Sequence, residues 1–498
     1  MSSKNDEVLK QFFSNIKECL QSRDDLSIHA SLKLLCGLLS RGFSLTEFVP
    51  LIAQHVVNDN DEVETLSQML MVQLPDDDKS SRLQAVNSLI QASTSPKESR
   101  RIRAVKTLSS FDNPELVDII SSLLSNSLND DSPYVKKAAI VGFAKLATYK
   151  PSLKPSVEKG IHNALESGDP LVISGAIYAC EIIGSNSIIK DNNERIWPIL
   201  LALDPWSQSR SLRNLLGTEQ LAYKSILTIL LHSQNPAVVF EATKYFEDSE
   251  PELIIPSLIR LIYSTNVISI HSFVILEKIS KKHPQLLTSY MAHFSPPQKS
   301  EATSHMSVQI LGNIGVECAH ILKKWALFYN NQFAVHFLGK LGHKESLIEL
   351  LKSANEEIAE IAAFYAAKIV DKSFLAQLLE LPKIKAAVVS VFTDSCKDNI
   401  MISEEMLKRI DKNYNDVGRE VKNEAALLAV RLADCNKSDD AAKFLSRCEA
   451  DKNPDVVKRA KVLKIMLMSS KTQIKNAIWT SRDPPPPATP VIYIPELD

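Results

Sequence analysis

Metal-assisted hydrolysis needs ligands held together, such as two His four residues apart on a helix with a Glu between them. The eleven His of this 498-residue chain are dispersed, and none is paired in that way. Asp59-Asn60-Asp61 opens like a calcium loop, but position six is Glu64, where the loop's sharp turn requires Gly. A helix N-cap with an acidic first turn accounts for the same residues through the helix dipole. Asp76, Asp77 and Asp78 follow Pro75 and read as a solvated loop. The seven Cys (Cys19, Cys36, Cys180, Cys318, Cys396, Cys435 and Cys448) include no Cys-x-x-Cys pair. They read as reduced thiols, with Cys36 and Cys180 as small core residues on apolar helix faces. No Gly-x-Ser-x-Gly elbow, P-loop or dinucleotide fingerprint occurs. The residues predict no catalytic group, no cofactor, no metal centre and a non-enzymatic role.

Cations are the better candidates for function. Arg100, Arg101, Arg103 and Lys106, then Lys136 and Lys137, lie near the predicted starts of successive helices. Stacking those helices would align the six into a positive strip facing acidic lipid headgroups or an acidic protein; ordinary solvated helix surface is the alternative. Lys10, Lys17 and Lys33 pose the same question on the first two helices. At the far end, Ile494, Leu497 and Asp498 loosely fit the apolar-x-x-apolar-acid pattern of peptides that dock into clathrin's propeller grooves. Pro495 stands there where an aliphatic residue is usual, and a frayed terminus is the alternative.

The elements that must position these residues are helical. Only 13 Gly and 6% aromatic residues accompany 45% hydrophobic residues, so the apolar content is chiefly Leu, Ile, Val and Ala. Such scarcity of Gly disfavours phosphate-cradling loops and Gly-cornered barrels. The balance of 57 basic against 59 acidic residues gives no electrostatic case for nucleic-acid binding. A charged N-terminus without an apolar core predicts no secretory leader. No apolar run approaches the roughly 18 residues of a membrane span, and the expectation is a soluble cytosolic protein.

Internal repetition sets the architecture. Residues 129–135, 167–172, 233–238 and 451–456 each place Ser, Asp or Asn before a Pro, then Val, then Ala four residues further on. The pairs are Val135/Ala139, Val172/Ala176, Val238/Ala242 and Val456/Ala460; Ile358/Ala362 and Val421/Ala425 repeat them without the Pro. The polar residue caps a helix, Pro occupies its first position, and the i, i+4 pair faces the core. Pro96, Pro133 and Pro170 follow the beat of two-helix units. Helices are predicted at about 6–21, 26–41, 45–58, 61–74, 80–92 and 99–110, with similar pairs continuing to about 470. Ser44 to Glu47 reads as a capping box with Phe43 and Phe48 as its staple. Leu32, Leu34, Leu35, Leu38 and Leu39 form an apolar stripe ended by Gly42. The prediction is an all-α, right-handed α-solenoid of HEAT/armadillo-like repeats over 1–470, followed by a Pro-rich flexible tail over 471–498.

The repeat residues also resemble a family. Arg100-Arg-Ile-Arg-Ala-Val-Lys-Thr-Leu-Ser-Ser-Phe111, then Asp131-Ser-Pro-Tyr-Val-Lys-Lys-Ala-Ala139 and Ala144-Lys-Leu146, are similar to the amino-terminal trunk of β-type adaptins. Leu203-Asp-Pro-Trp-Ser-Gln208 resembles the acidic-Trp-Gly-Gln turn of those trunks, and Asn235-Pro-Ala-Val-Val-Phe-Glu-Ala242 follows in family order. The wording Ser-Pro-Tyr-Val leans toward the large β subunit of adaptor complex three. The match covers about 1–290. Lys136 and Lys137 stand where the family has Arg-Lys. The resemblance implies a scaffold subunit of a heterotetrameric vesicle-coat adaptor. Its expected partners are a second large adaptin, a medium and a small subunit, an Arf-type GTPase and a phosphoinositide surface, with clathrin as a further candidate. Its expected location is cytoplasmic, peripheral on Golgi and endosomal membranes. A hinge and folded ear follow the trunk in the family, whereas only residues 471–498 follow here, a departure that puts ear-dependent recruitment of accessory proteins in doubt. A coatomer subunit, a phosphatase scaffold and a nuclear transport receptor share the architecture.

Overall fold

The computed structural model of the protein describes residues 2–74, 79–111, 113–217, 220–436 and 438–480. The chain divides into two compact units, Met1–Tyr245 and Phe246–Asp498. Among the described residues every regular element is an α-helix or a 3-10 turn.

The first unit begins with α1 (Ser2–Leu20), α2 (Asp25–Leu39), α3 (Val49–Ala53), α4 (Asp61–Gln73) and α5 (Lys79–Ala92). It continues with α6 (Glu98–Leu108), α7 (Val117–Ser127), α8 (Pro133–Tyr149), α9 (Lys154–Glu166) and α10 (Pro170–Ile182). Short helices α11 (Ser187–Asp191) and α12 (Asn193–Ile196) precede α13 (Pro205–Leu215), α14 (Lys224–Leu230) and α15 (Pro236–Thr243). Helices α2, α4, α6, α8, α10, α13 and α15 each pack on the next and form one layer; α1, α3, α5, α7 and α9 pack against its other side. In the second unit the Asn266–Lys282, Glu301–Ile314, Gln332–Leu341, Glu356–Ile369, Ala386–Ser395, Arg419–Asn436 and Pro454–Met468 helices form the equivalent succession.

The capped-helix signal accounts for this order. Ser132, Asp169, Asn235 and Asn453 accept hydrogen bonds from N–H groups in the first turns of their helices, and each is followed by Pro at the first position. Each cap is worth about 1 kcal/mol. All six branched/Ala pairs are buried, and every Ala of the six is fully inaccessible. A buried Val or Ile contributes about 1.5–3 kcal/mol, while the small Ala lets the neighbouring helix approach.

Local expectations fail where a more distant partner competes. Ser44 to Glu47 does not form a capping box: Leu45 precedes the 3-10 turn without a side-chain cap, and Lys17 takes the Glu47 carboxylate. Phe48 is buried edge-on to Phe13, 5.4 Å between ring centres, while Phe43 remains exposed. The predicted 45–58 helix is therefore a turn plus the short α3. Leu34 leaves the predicted stripe for solvent. Pro96 lies before the N-cap of α6, which is Lys97 without a side-chain cap.

The boundary expected at 470 also moves. Residues Thr472–Asn476 and Ala477–Trp479 are helical, and Ile478 is 2% exposed. Arg431 donates to the carbonyl of Ile478 at 2.9 Å, and the Trp479 indole donates to Asp434 at 2.9 Å. The helical body thus runs to Trp479. The tail candidates Ile494, Leu497 and Asp498, and the acidic run Asp76 to Asp78, lie outside the described residues.

Candidate functional site on helices α4 to α10

The start of α4 carries acids, and the start of α6, one repeat later, carries bases. Asn60 caps α4 by accepting from the Glu62 and Val63 N–H groups, and Asp61, Glu62 and Glu64 fill its first turn. This is the N-cap reading of Asp59-Asn60-Asp61, with the acids engaged by cations of the chain itself. Arg103 reaches Asp61 at 2.7 Å and Glu64 at 2.8 Å. Arg100 reaches Glu64 at 3.6 Å and the Asn58 carbonyl at 2.8 Å, and Lys97 reaches Asp61 at 3.0 Å. Glu64 is completely buried, and the two guanidiniums supply the opposing charge and donors that a buried carboxylate lacks without water. Bonds from Lys97 and Arg103 hold the Asp61 carboxyl below the usual carboxylate range.

The next junction repeats the device. Arg101 grips Asp130 bidentately, at 2.9 and 3.0 Å, and donates to the Ser95 carbonyl. Asp130 also accepts from the Ser132 N–H at 2.8 Å, and the Ser132 hydroxyl donates to Glu98. Burial works to raise the Asp130 pKa, but Arg101 and the Ser132 N–H outweigh it and the net shift is downward. The bases of α6 therefore hold successive repeats in register.

These contacts correct the expectation of six aligned free cations. Arg100, Arg101 and Arg103 are committed to carboxylates of the chain. Lys137 stands 3.4 Å from Asp204, the N-cap of α13. Lys136 is half-buried beside Asp130. Lys106 is exposed and forms no ion pair among the described residues. On the earlier helices Lys10 and Lys33 are exposed, and Lys17 is paired with Glu47. Sequence reasoning missed the carboxylate partners, although the repeat length contains the signal. Residues one unit apart become neighbours, so bases at 97–103 sit over acids at 59–64.

Beside Lys106 a groove of about 530 Å³ opens between α6, α8 and α10. Lys106, Lys137 and Lys145 stand along it, and Ile102, Val141 and Leu171 contribute apolar wall. Tyr134 and Tyr178 also line it, exposed by 55% and 37%. The Arg210 guanidinium lies 4.5 Å from the Tyr178 ring centre. No described lining residue carries a carboxylate. Lys145, which sequence reading passed over, becomes visible only when α8 is placed between its neighbours.

Reactive chemistry has no comparable assembly among the described residues. Among the described residues no group of three or more His, Cys, Asp or Glu is placed to hold a metal ion. Burial pushes the Cys180 and Cys396 thiols up to about 12, and those of Cys318 and Cys448 up to about 11. Such thiols are protonated at neutral pH and poor nucleophiles. Among the described residues no helix is long and apolar enough to cross a membrane.

Known proteins place this architecture. The AP-3 complex subunit beta of Schizosaccharomyces pombe is 20% identical over 477 residues, covering 86% of this chain and 64% of that protein. The AP-3 complex subunit beta-1 of Mus musculus is 20% identical over 545 residues, covering 91% of this chain and 49% of that protein. The AP-1 complex subunit beta-1 of Saccharomyces cerevisiae is 25% identical over 398 residues, covering 71% of this chain and 51% of that protein. This chain thus spans about half to two thirds of the length of these relatives. A homology model of the full-length AP-3 complex in an intermediate open conformation contains a chain of the same fold. Its TM-score is 0.60 at 14% identity, over 92% of this chain and 96% of that one. The description "Adaptin N terminal region" matches residues 9–315, well over half the chain, and the chain belongs to that family.

Proposed function

We propose that this chain is the large, β-type subunit of a heterotetrameric vesicle-coat adaptor of the complex-three kind. What carries the reading is the adaptin match over 9–315, together with likeness to AP-3 beta subunits over 86% and 91% of this chain. In this reading the stacked helices are a scaffold for a second large adaptin, a medium subunit and a small subunit. An Arf-type GTPase and phosphoinositides bring the assembly to Golgi and endosomal membranes, where it sorts cargo into vesicles, with clathrin as a further candidate partner. Small shifts between packed repeats would let such a scaffold change shape on the membrane.

The test is recruitment. The tagged chain, in lysate from its own cells, is expected to move onto Golgi or endosomal membranes when an Arf-type GTPase is locked with a non-hydrolysable GTP analogue. It is expected to stay in the supernatant with GDP. Equal distribution under both nucleotides overturns the recruitment mechanism.

A further inference from the structure

We propose that the groove between α6, α8 and α10 docks an acidic peptide segment of a partner protein, with an apolar side chain against Val141 and carboxylates on Lys106 and Lys145. Three observations converge on this occupant. The first is the distribution of charge. On the same helices Arg100, Arg101 and Arg103 each face a carboxylate supplied by the neighbouring repeat. Lys106 and Lys145 form no ion pair among the described residues, and no described lining residue carries an opposing charge. Within the groove, then, Lys106 and Lys145 face apolar and aromatic wall and no carboxylate of the described lining.

The second is shape. The groove is a concavity of about 530 Å³, within the usual range for ligand pockets. Ile102, Val141 and Leu171 give it an apolar wall. A planar bilayer surface does not enter such a cleft, and a polyphosphate headgroup gains nothing from an apolar wall. A peptide offering one apolar anchor between carboxylates uses both features.

The third is arrangement. Tyr134, Ala138, Val141 and Lys145 recur at i, i+4, i+7 and i+11, so they form one stripe along α8. From Tyr134 to Lys145 the stripe rises about 16 Å, the span of about five residues of extended peptide. Tyr134 and Tyr178 flank it, and half-exposed Tyr is the residue type that protein interfaces favour. This inference goes beyond the adaptor reading and does not depend on it.

The test uses the full chain and a fluorescent peptide with a central Phe flanked by Asp and Glu. Saturable binding is expected, weakening as salt rises. The Lys106→Gln/Lys145→Gln variant should bind about tenfold more weakly, the loss of one ion pair at exposed Lys106 and one at half-buried Lys145. Lys136→Gln, on the same helix but outside the groove, should bind as the unaltered chain does. A benzophenone in place of the Phe should cross-link to α8 or α10. Thermal melting verifies that the lysine variants, altered at exposed Lys106 and half-buried Lys136 and Lys145, remain folded. Equal weakening by Lys136→Gln, or no saturable binding, overturns the proposal. So does retention by anionic vesicles through Lys106 and Lys145 without peptide binding, which would assign the groove to a membrane surface.

Discussion

Replacing Arg431 with Leu tests whether residues 472–480 are part of the helical body. Arg431 is 3% exposed. Its Nε donates to the Ile478 carbonyl at 2.9 Å, and its Nη1 donates to the Thr393 carbonyl at 2.8 Å and to Asp394 at 2.7 Å. The Trp479 ring lies 5.4 Å from the guanidinium. Leu retains apolar bulk and removes every donor. One charged hydrogen bond is worth about 1.5–3 kcal/mol, and a desolvated cation–π contact adds about 1–2 kcal/mol. The link between Arg431 and the terminal helix is thus worth about 3 kcal/mol, or roughly 100-fold in the opening equilibrium. Hydrogen exchange measured by mass spectrometry on the full chain should show amides of 473–480 exchanging roughly 100-fold faster in Arg431→Leu. Amides of the Glu356–Ile369 helix should be unchanged. Arg431→Lys should fall between, since an ammonium keeps the charge but cannot span Thr393 and Ile478 as a fork does. Exchange of 473–480 that is already random-coil-like in the unaltered chain, or that ignores the substitution, would refute the reasoning.

Other outcomes follow from the same contacts. A Cβ on Gly339 would lie 2.1 Å from Tyr365 Cγ, so Gly339→Ala should destabilise the protein by about 1–3 kcal/mol in urea unfolding. Gly37 lies within α2 with open space around it, and Gly37→Ala should stabilise by about 0.5–1 kcal/mol. For Asp130 and Asp451 burial acts upward, but hydrogen bonds and neighbouring cations leave both folded pKa values lowered. Their contribution is then fully present above the unfolded pKa of about 3.9 and is lost as pH falls through the folded values. Unfolding midpoints should therefore fall below about pH 4, less steeply in Asp130→Asn. A thiol-alkylating reagent at mildly alkaline pH should label half-buried Cys19, Cys36 and Cys435 first. The buried Cys180, Cys318, Cys396 and Cys448 should be labelled only on unfolding, which peptide mapping would show.

What could be read from the sequence was local in character. Ser132, Asp169, Asn235 and Asn453 cap their helices as spacing alone predicts, because the cap, the Pro and the i, i+4 pair lie within about one helical turn or two. Reading failed where a partner came from another repeat. The Ser44–Glu47 box is lost because Lys17, 30 residues earlier, takes Glu47. The supposed free arginines are held by carboxylates 29 to 42 residues away. Arg431 bonds to Ile478 across 47 residues, which is why 472–480 looked like the start of a tail. Lys106 and Lys137 were legible as candidates, whereas their groove and Lys145 required three helices to be assembled.

The most direct test of the adaptor reading is the composition of the assembly in its own cell. The tagged chain would be purified under gentle conditions and its near-stoichiometric companions identified by mass spectrometry. The account predicts one further large adaptin-like chain, one medium chain and one small chain. Recovery instead of a phosphatase catalytic subunit, a Ran-type GTPase or coatomer chains would contradict it.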